Sequence, residues 1–181
     1  MVAGIKNMLY FINIDDVDKD KCTFDPDNPT LLTQLVLKSA TPELTAFQVE
    51  GYNYSNEHDT ALVKGRYYNS WEHNIRYRIF DNTPDVKLWI KTALNARFVV
   101  IIENNYTSEA SPVGNTVFEV LGWDFGLEIK ECTRVAADEE LAGGWNILAG
   151  CSETLKESKP PLAFFVGDTI TATRAAIAAL L

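Results

Sequence analysis

The sequence predicts a mainly β fold with one or two helices (α+β), an antiparallel β-sandwich or barrel with a flanking helix at about 84–95 and a C-terminal helix. Three observations predict it: short aromatic and β-branched runs between turn-forming residues, one segment with helical spacing, and an apolar C terminus. The composition is globular, with 46% hydrophobic and 23% charged residues. Residues 1–181 are predicted to form a single domain.

The first third of the chain predicts three strands. Residues 8–14 (MLYFINI) form an aromatic and β-branched run, and residues 31–38 and 46–52 form the next two, separated by a turn at 39–42. Residues 15–30 hold six aspartates and two prolines. We therefore predict a long polar loop there, too long for a tight hairpin.

The clearest alternation with a period of two lies between Trp71 and Phe80. Its odd positions are aromatic or apolar apart from His73, and its even positions from Glu72 to Arg78 are charged or polar. This pattern predicts a strand with one buried face and one wet or charge-paired face. A further strand at 60–68 is expected to be broken by Gly65.

The sequence DNTPD predicts the start of a helix. Asn82 or Thr83 can accept a hydrogen bond from the free amides of the first turn, and Pro84 suits that turn. Apolar residues then recur at helical spacing to about Asn95. The run RFVVIIE at 97–103 is apolar on both faces, which predicts a central strand covered on both sides, with this helix as one cover.

The second half of the chain continues the β pattern. Two strands are predicted within 116–133, around Gly122 or Gly126, and a last one at 145–151. Residues 153–161 contain lysines and two prolines and predict an exposed linker.

The C-terminal tail, 168–181 (DTITATRAAIAALL), predicts a short helix capped by Asp168 or Thr169. Its alanine, isoleucine and leucine content is too apolar for a solvated end. We expect it to dock against its own sheet or against a neighbouring subunit. The tail and the loop at 15–30 are therefore possible assembly elements.

Charge and cysteine content restrict the partners. Sixteen Lys and Arg against 25 Asp and Glu give a net charge of −9, which disfavours DNA or an anionic membrane as a ligand. No targeting segment is expected, and no apolar run approaches the roughly 18 residues that span a bilayer. Cys22, Cys132 and Cys151 are odd in number and widely spaced, so we expect free thiols in a reducing cytosol.

The nearest approach to a metal motif is the acidic loop. Counted from Asp16, acidic side chains fall at positions 1, 3, 5 and 12 of an EF-hand-like loop, but position 6 is Lys21 instead of glycine and position 12 is Asp27 instead of glutamate. A solvated acidic loop is the better interpretation. Its acids are Asp15, Asp16, Asp18, Asp20, Asp25 and Asp27.

No residue is predicted to be catalytic. His73 lies on the apolar face of its strand as a core histidine, with no serine or cysteine motif nearby, and His58 lies in a polar turn where we expect it to be exposed. Glu139 and Glu140 lack an apolar setting that would separate their pKa values. We expect no enzyme, no cofactor and no metal.

Glycines and aromatic residues have simple explanations. Gly122, Gly126 and the pair Gly143-Gly144 fit turns or bulges, because no phosphate-loop pattern surrounds them. Five aromatic residues could form a stacking platform, although core and subunit contacts explain them more simply. They are Tyr52, Tyr54, Tyr67, Tyr68 and Trp71.

Five segments resemble a phage or prophage structural protein of the Bacteroidota type: GIKNMLYFINIDDVDK, RYYNSWEHNIRYRIF, RFVVIIENN, FEVLGWDFGLEI and GGWNILAG. In length and strand content the chain is similar to tail tube subunits. That resemblance implies a β-sandwich or barrel whose copies form hexameric rings, and these stack into a conduit through which genomic DNA passes unbound. It implies partners that are further copies and other virion proteins, with no membrane, and a virion protein made in the bacterial host cytoplasm.

Under this resemblance, the loops at 15–30 and 107–115 and the apolar C terminus are candidates for contact between rings. Other hypotheses remain open. The chain could be a capsid decoration, connector or tail completion protein. It could instead be a monomeric β-barrel that binds an apolar or sugar ligand near Tyr67 and Trp71. A hydrolase that uses Asp and Glu ranks last.

Overall fold

A computed structural model describes residues 4–51, 55–105, 116–137 and 143–181. Two helices lie within these ranges, α1 (Pro84–Ala93) and α2 (Ile170–Ala178), and a short 3-10 helix covers Ile14–Asp16. The strands are β1 (Ile5–Asn13), β2 (Thr23–Phe24), β3 (Leu31–Gln34), β4 (Phe47–Glu50), β5 (Glu57–Lys64), β6 (Asn69–Ile79), β7 (Phe98–Asn104), β8 (Phe118–Leu121), β9 (Glu128–Arg134), β10 (Trp145–Gly150) and β11 (Leu162–Phe164).

The strands form two sheets. The large sheet has seven strands in the order β2-β3-β11-β8-β7-β1-β4, and the small sheet has four in the order β5-β6-β10-β9. All strand pairs are antiparallel except β3 with β11. The predicted antiparallel sandwich with a flanking helix and a C-terminal helix is confirmed, and its open sheets do not close into a barrel.

The large sheet is covered on both faces. One core lies between the two sheets and includes Ile90 and Ala93 of α1, while a second core lies on the opposite face under Ile170 and Ile177 of α2. Alternate residues of β7 enter the two cores, and all of β7 is buried. The prediction of a central strand covered on both sides is therefore confirmed.

An aromatic group centred on Phe11 fills the core between the sheets. Its ring centroid lies 5.0 Å from that of Tyr77 on the small sheet and 5.7 Å from that of Phe98 on the large sheet. Trp89 of α1 lies at 6.2 Å with an edge-on geometry. Aromatic pairs of this kind stabilise a fold beyond the effect of the apolar surface that they bury. This group therefore connects both sheets and α1.

The predicted helix starts are confirmed at Thr83 and Thr169. Each threonine hydroxyl accepts a hydrogen bond from an amide in the first turn of its helix, and Pro84 occupies that turn in α1. None of the helices in the described ranges is long and apolar enough to cross a membrane.

Gly122 and Gly126 carry the chain from one sheet to the other. β8 before them belongs to the large sheet, and β9 after them belongs to the small sheet. Gly122 has φ +69°, and a Cβ there would lie 2.8 Å from the side chain of Leu127. The turn at 122–127 therefore requires glycine for both its backbone conformation and its space.

Some predicted boundaries are wrong. The strand predicted at 60–68 begins earlier, at Glu57, and ends at Lys64, where the break at Gly65 was predicted. The strand predicted at 31–38 ends at Gln34. The short strands β2 and β11 were not predicted, since two or three residues carry no periodicity. The exposed linker predicted at 153–161 is exposed at 153–155, but Glu157 within it is buried.

Candidate functional site

A group of buried and half-buried polar residues joins the two sheets beside the turn at 122–127. We call His73, Cys151, Glu157 and Asp124 the polar junction. The backbone of Glu157 pairs with that of Trp71 on β6, through amide–carbonyl distances of 2.8 and 3.0 Å. Cys151 follows β10, and its amide donates one hydrogen bond to the His73 carbonyl at 3.0 Å.

The Glu157 carboxylate holds the crossing turn. The side chain is 1% exposed, and its two oxygens accept hydrogen bonds from the backbone amides of Asp124 at 2.7 Å and Phe125 at 3.0 Å. Burial raises the pKa of Glu157, and these two amides partly oppose that shift. The Asp124 carboxylate in turn accepts from the Ser158 amide at 2.9 Å. The segment 157–158 and the turn are thereby fixed to each other.

His73 and Cys151 lie side by side without the geometry of a catalytic pair. The Nδ1 atom of His73 accepts a hydrogen bond from the Gly122 amide at 3.2 Å, so its lone pair is already used. The Cys151 sulfur lies 3.3 Å from the His73 amide, which donates to it. Burial raises the pKa of the Cys151 thiol, which disfavours the thiolate. The arrangement suits structure better than nucleophilic chemistry.

His58 makes a contact between the sheets that its sequence position did not predict. Its Nε2 atom on β5 lies 3.2 Å from the Glu119 carboxylate on β8, and both side chains are half-buried. β5 and β8 belong to different sheets, so the pair links them near the polar junction.

The acidic loop folds on itself. Asp25 accepts hydrogen bonds from the amides of Asp27 and Asn28, and Asp18 pairs with Lys21 at 2.8 Å. Among the residues that the structure describes, no three His, Cys, Asp or Glu side chains are grouped to hold a metal ion.

The three cysteines are free thiols. Burial raises the thiol pKa of Cys22, Cys132 and Cys151 alike, so none is an activated nucleophile at neutral pH. Glu139 and Glu140, and the loop at 107–115, lie outside the described residues.

The five aromatic residues do not form an enclosed platform in the described part of the chain, and Tyr52 and Tyr54 lie outside it. Tyr67 and Tyr68 occupy the loop that joins β5 to β6 and are 85% and 74% exposed. Trp71 is half-buried further along β6, beside Glu157. The predicted pocket near Tyr67 and Trp71 would need tyrosines that turn inward, but Tyr67 and Tyr68 face solvent.

The outer face of the small sheet carries paired charges. The Glu72 carboxylate accepts hydrogen bonds from the Lys130 ammonium at 3.1 Å and the Lys156 ammonium at 2.8 Å. These bonds lower the pKa of Glu72. Arg76 lies 3.9 Å from Glu131. Lys130, Lys156 and Arg76 are therefore each paired with a carboxylate, and the pairs of Lys130 and Arg76 both reach across β10 between β6 and β9.

The small sheet ends in two long edge strands, β5 with 8 residues and β9 with 7. Within the described ranges, no strand pairs with their outer edges. The amide and carbonyl of Trp71 bond to Glu157 and therefore point away from β5. Leu62 lies opposite Trp71 on β5, so the two residues form a non-hydrogen-bonded pair. The amide of Leu62 therefore points to the free edge. The backbone of β5 thus offers hydrogen-bonding groups along its outer edge.

Comparison of the chain with protein-family models, with curated proteins and with solved structures finds no match.

The buried histidine predicts a loss of stability in acid. Burial is the main cause that lowers the pKa of His73 to about 4, whereas an unfolded histidine titrates near 6.5. The contribution of neutral His73 to the free energy of unfolding is complete above about pH 6.5. It is lost as the pH falls toward 4, because the unfolded chain binds a proton on this histidine before the folded chain does. We expect His73 to account for about 3 kcal/mol of this loss.

Urea unfolding between pH 7 and pH 4 measures this loss, and His73→Gln is the matched variant because its amide oxygen can still accept from Gly122. The difference in unfolding free energy between the two proteins should shrink as the pH falls. Parallel pH profiles would contradict the prediction.

Proposed function

We propose that this chain is a non-enzymatic structural protein of a bacteriophage particle, a tail tube subunit that assembles into stacked hexameric rings around a conduit for DNA. Two findings support the proposal together with the resemblance of the five sequence segments. The fold is a β-sandwich with a flanking helix, and the polar junction and the acidic loop offer no catalytic or metal-binding geometry among the described residues.

The free edges of the small sheet carry the proposal. Its four strands alternate in direction, so β5 and β9 at the two edges run in opposite directions. Copies related by rotation about one axis would place β9 of one copy antiparallel to β5 of the next, like every other pair in that sheet. A closed ring would then pair both edges of every copy, and exposed edges of this length are otherwise an aggregation hazard.

The charge of the chain is compatible with a passage for DNA. Proteins that bind DNA tightly offer unpaired lysines and arginines to the phosphates. Here Lys130 and Lys156 are engaged by Glu72 on the outer face of the small sheet, and the whole chain carries −9. Such a surface would let DNA pass without holding it.

Electron microscopy of the negatively stained protein, with light scattering for mass, tests the proposal. We expect rings or hollow tubes. Leu62→Pro removes an amide that faces the free edge and should abolish the rings or tubes. The subunit itself should still fold, because an edge strand tolerates proline where the amide faces outward. Leu62→Ala keeps the amide and should assemble like the wild type.

A monomer at high concentration would overturn the proposal and favour the monomeric ligand-binding domain. Compact assemblies without a central channel would favour a capsid decoration, connector or tail completion protein instead.

A further inference from the structure

The β5–β6 hairpin extends beyond the sandwich. His58 on the inward face of β5 reaches Glu119 of the large sheet, but Leu62, four residues further along the same face, is 47% exposed. The large sheet therefore no longer covers the inward face of β5 at Leu62, before the hairpin ends. Lys64 lies six residues after His58, roughly 20 Å further along the strand. The hairpin thus forms an arm whose inward face is uncovered beyond the polar junction, while Ser70 near its end is buried.

The end of this arm has the composition of a binding surface. We call residues 64–69 the hairpin tip. The Gly65 amide donates to the Tyr68 carbonyl at 3.1 Å and closes the loop, while the Arg66 guanidinium lies 5.4 Å from the ring centre of Tyr67. Tyrosine and arginine are enriched at the energetic centres of protein interfaces. The tip contains two cations and no acid, although the chain as a whole carries −9.

A cavity that could receive such a tip lies on the same molecule. It has a volume of about 380 Å³ and combines apolar walls with charged groups. Its lysines are engaged within the subunit, since Lys19 donates to the Asp124 carbonyl at 3.0 Å and Lys38 to the Asp15 carbonyl at 2.6 Å. The lining residues are Ile14, Asp15, Val17, Asp18, Lys19, Asp20, Lys38, Arg97, Asp124 and Phe125.

The tip and this cavity complement each other in chemistry. Four aspartates and three cations line the cavity, and the loop at 15–27 beside it contains six aspartates and two lysines, so we call it the acidic cavity. Phe125 at the rim is 38% exposed and offers an apolar surface for a tyrosine ring. An aromatic tip with two cations therefore fits an acidic cavity with an aromatic rim.

Both features lie at the same end of the sandwich. Trp71 at the base of the arm pairs with Glu157, whose carboxylate binds the amides of Asp124 and Phe125. These two residues line the cavity. In a ring all copies point the same way, so features at one end of each copy lie in one plane and can meet between neighbours.

We propose that the hairpin tip of one copy docks in the acidic cavity of the adjacent copy and joins neighbours side by side within a ring. This inference rests on the proposed ring assembly, in which β5 of one copy runs antiparallel to β9 of the next. The arm then passes the start of the neighbour's β9 at Glu128, which directly follows the turn at 122–127 beside the cavity. The loop at 15–30 thereby serves contact within a ring, and not between rings.

Charge reversal tests the contact. A tip variant carries Lys64→Glu and Arg66→Glu, and a cavity variant carries Asp15→Lys and Asp20→Lys. Each variant alone should raise the dissociation constant of the assembly about tenfold or more. An equimolar mixture of the two should assemble again, because each tip then meets a cavity of opposite charge. A chain with all four substitutions should also assemble.

The matched control is Lys87→Glu with Lys91→Glu on the exposed side of α1, which makes the same charge change away from the tip and should leave assembly unchanged. Light scattering and native mass spectrometry measure all five proteins, and circular dichroism confirms that each is folded.

Four outcomes would overturn the inference. If the wild type assembles and both charge variants assemble equally well, the docking is wrong while the ring proposal stands. If the mixture fails to assemble, the two surfaces do not meet. A closed dimer of the wild type would contradict the side-by-side contact, and a monomeric wild type would overturn both proposals.

Discussion

Deletion of residues 168–181 is expected to unfold the domain, not merely to weaken association. Ile170 and Ile177 of α2 are buried in the second core of the large sheet, and each such side chain contributes about 1.5–3 kcal/mol. The deletion also removes part of the second core, to which Ile101 and Phe118 of the sheet belong. The total loss exceeds about 5 kcal/mol, which reaches the whole stability of many domains.

Polar contacts made by the tail increase this expected loss. The Thr173 hydroxyl accepts a hydrogen bond from the Val166 amide at 2.9 Å, and the Leu180 carbonyl accepts one from the Ala46 amide. Arg174 also contacts the buried carboxylate of Glu103, at the same oxygen that Lys6 binds. The tail therefore holds β4, β7 and β11 as well as the core.

Thermal unfolding followed by circular dichroism measures the effect, and deletion of the exposed Leu181 alone is the control. The truncated chain should show no cooperative transition, whereas the control should unfold like the wild type. A truncated chain that unfolds at the wild-type temperature but no longer associates would show that the tail is an assembly element.

The sequence predicted the parts of the fold that local chemistry determines. The alternation of β6, the threonine caps of both helices and the doubly buried β7 all follow from side-chain period or from short-range hydrogen bonds. The assignment of strands to sheets could not be predicted, because β8 and β9 are neighbours in sequence and belong to different sheets. That separation depends on the glycine turn between them.

The candidate surfaces were only partly predictable. Tyr67, Tyr68 and the acidic loop stood out by composition, but nothing in the sequence showed that the tyrosines project on an arm or that the loop borders a cavity. Glu157 was missed altogether. Lysine and proline around it indicated an exposed linker, and the amides that bind its carboxylate come from residues more than 30 positions away.

Glu157→Ala is expected to lower the free energy of unfolding by about 3 kcal/mol. The substitution leaves the amides of Asp124 and Phe125 without their acceptor in a buried site, and such unpaired donors are costly. Glu157→Gln keeps the shape and one acceptor oxygen and should cost about half as much. Glu153→Ala removes an exposed carboxylate from the same segment and should change stability by no more than about 0.5 kcal/mol.

Urea unfolding ranks these three variants, and a loss below 1 kcal/mol for Glu157→Ala would show that the carboxylate does not hold the turn. Hydrogen exchange locates the effect. Because Glu157 binds the turn beside the acidic cavity and also pairs with Trp71 at the base of the arm, both sites should exchange faster in the alanine variant. A buried carboxylate in the polar junction would then set the relative position of the two surfaces that are proposed to meet between neighbouring subunits.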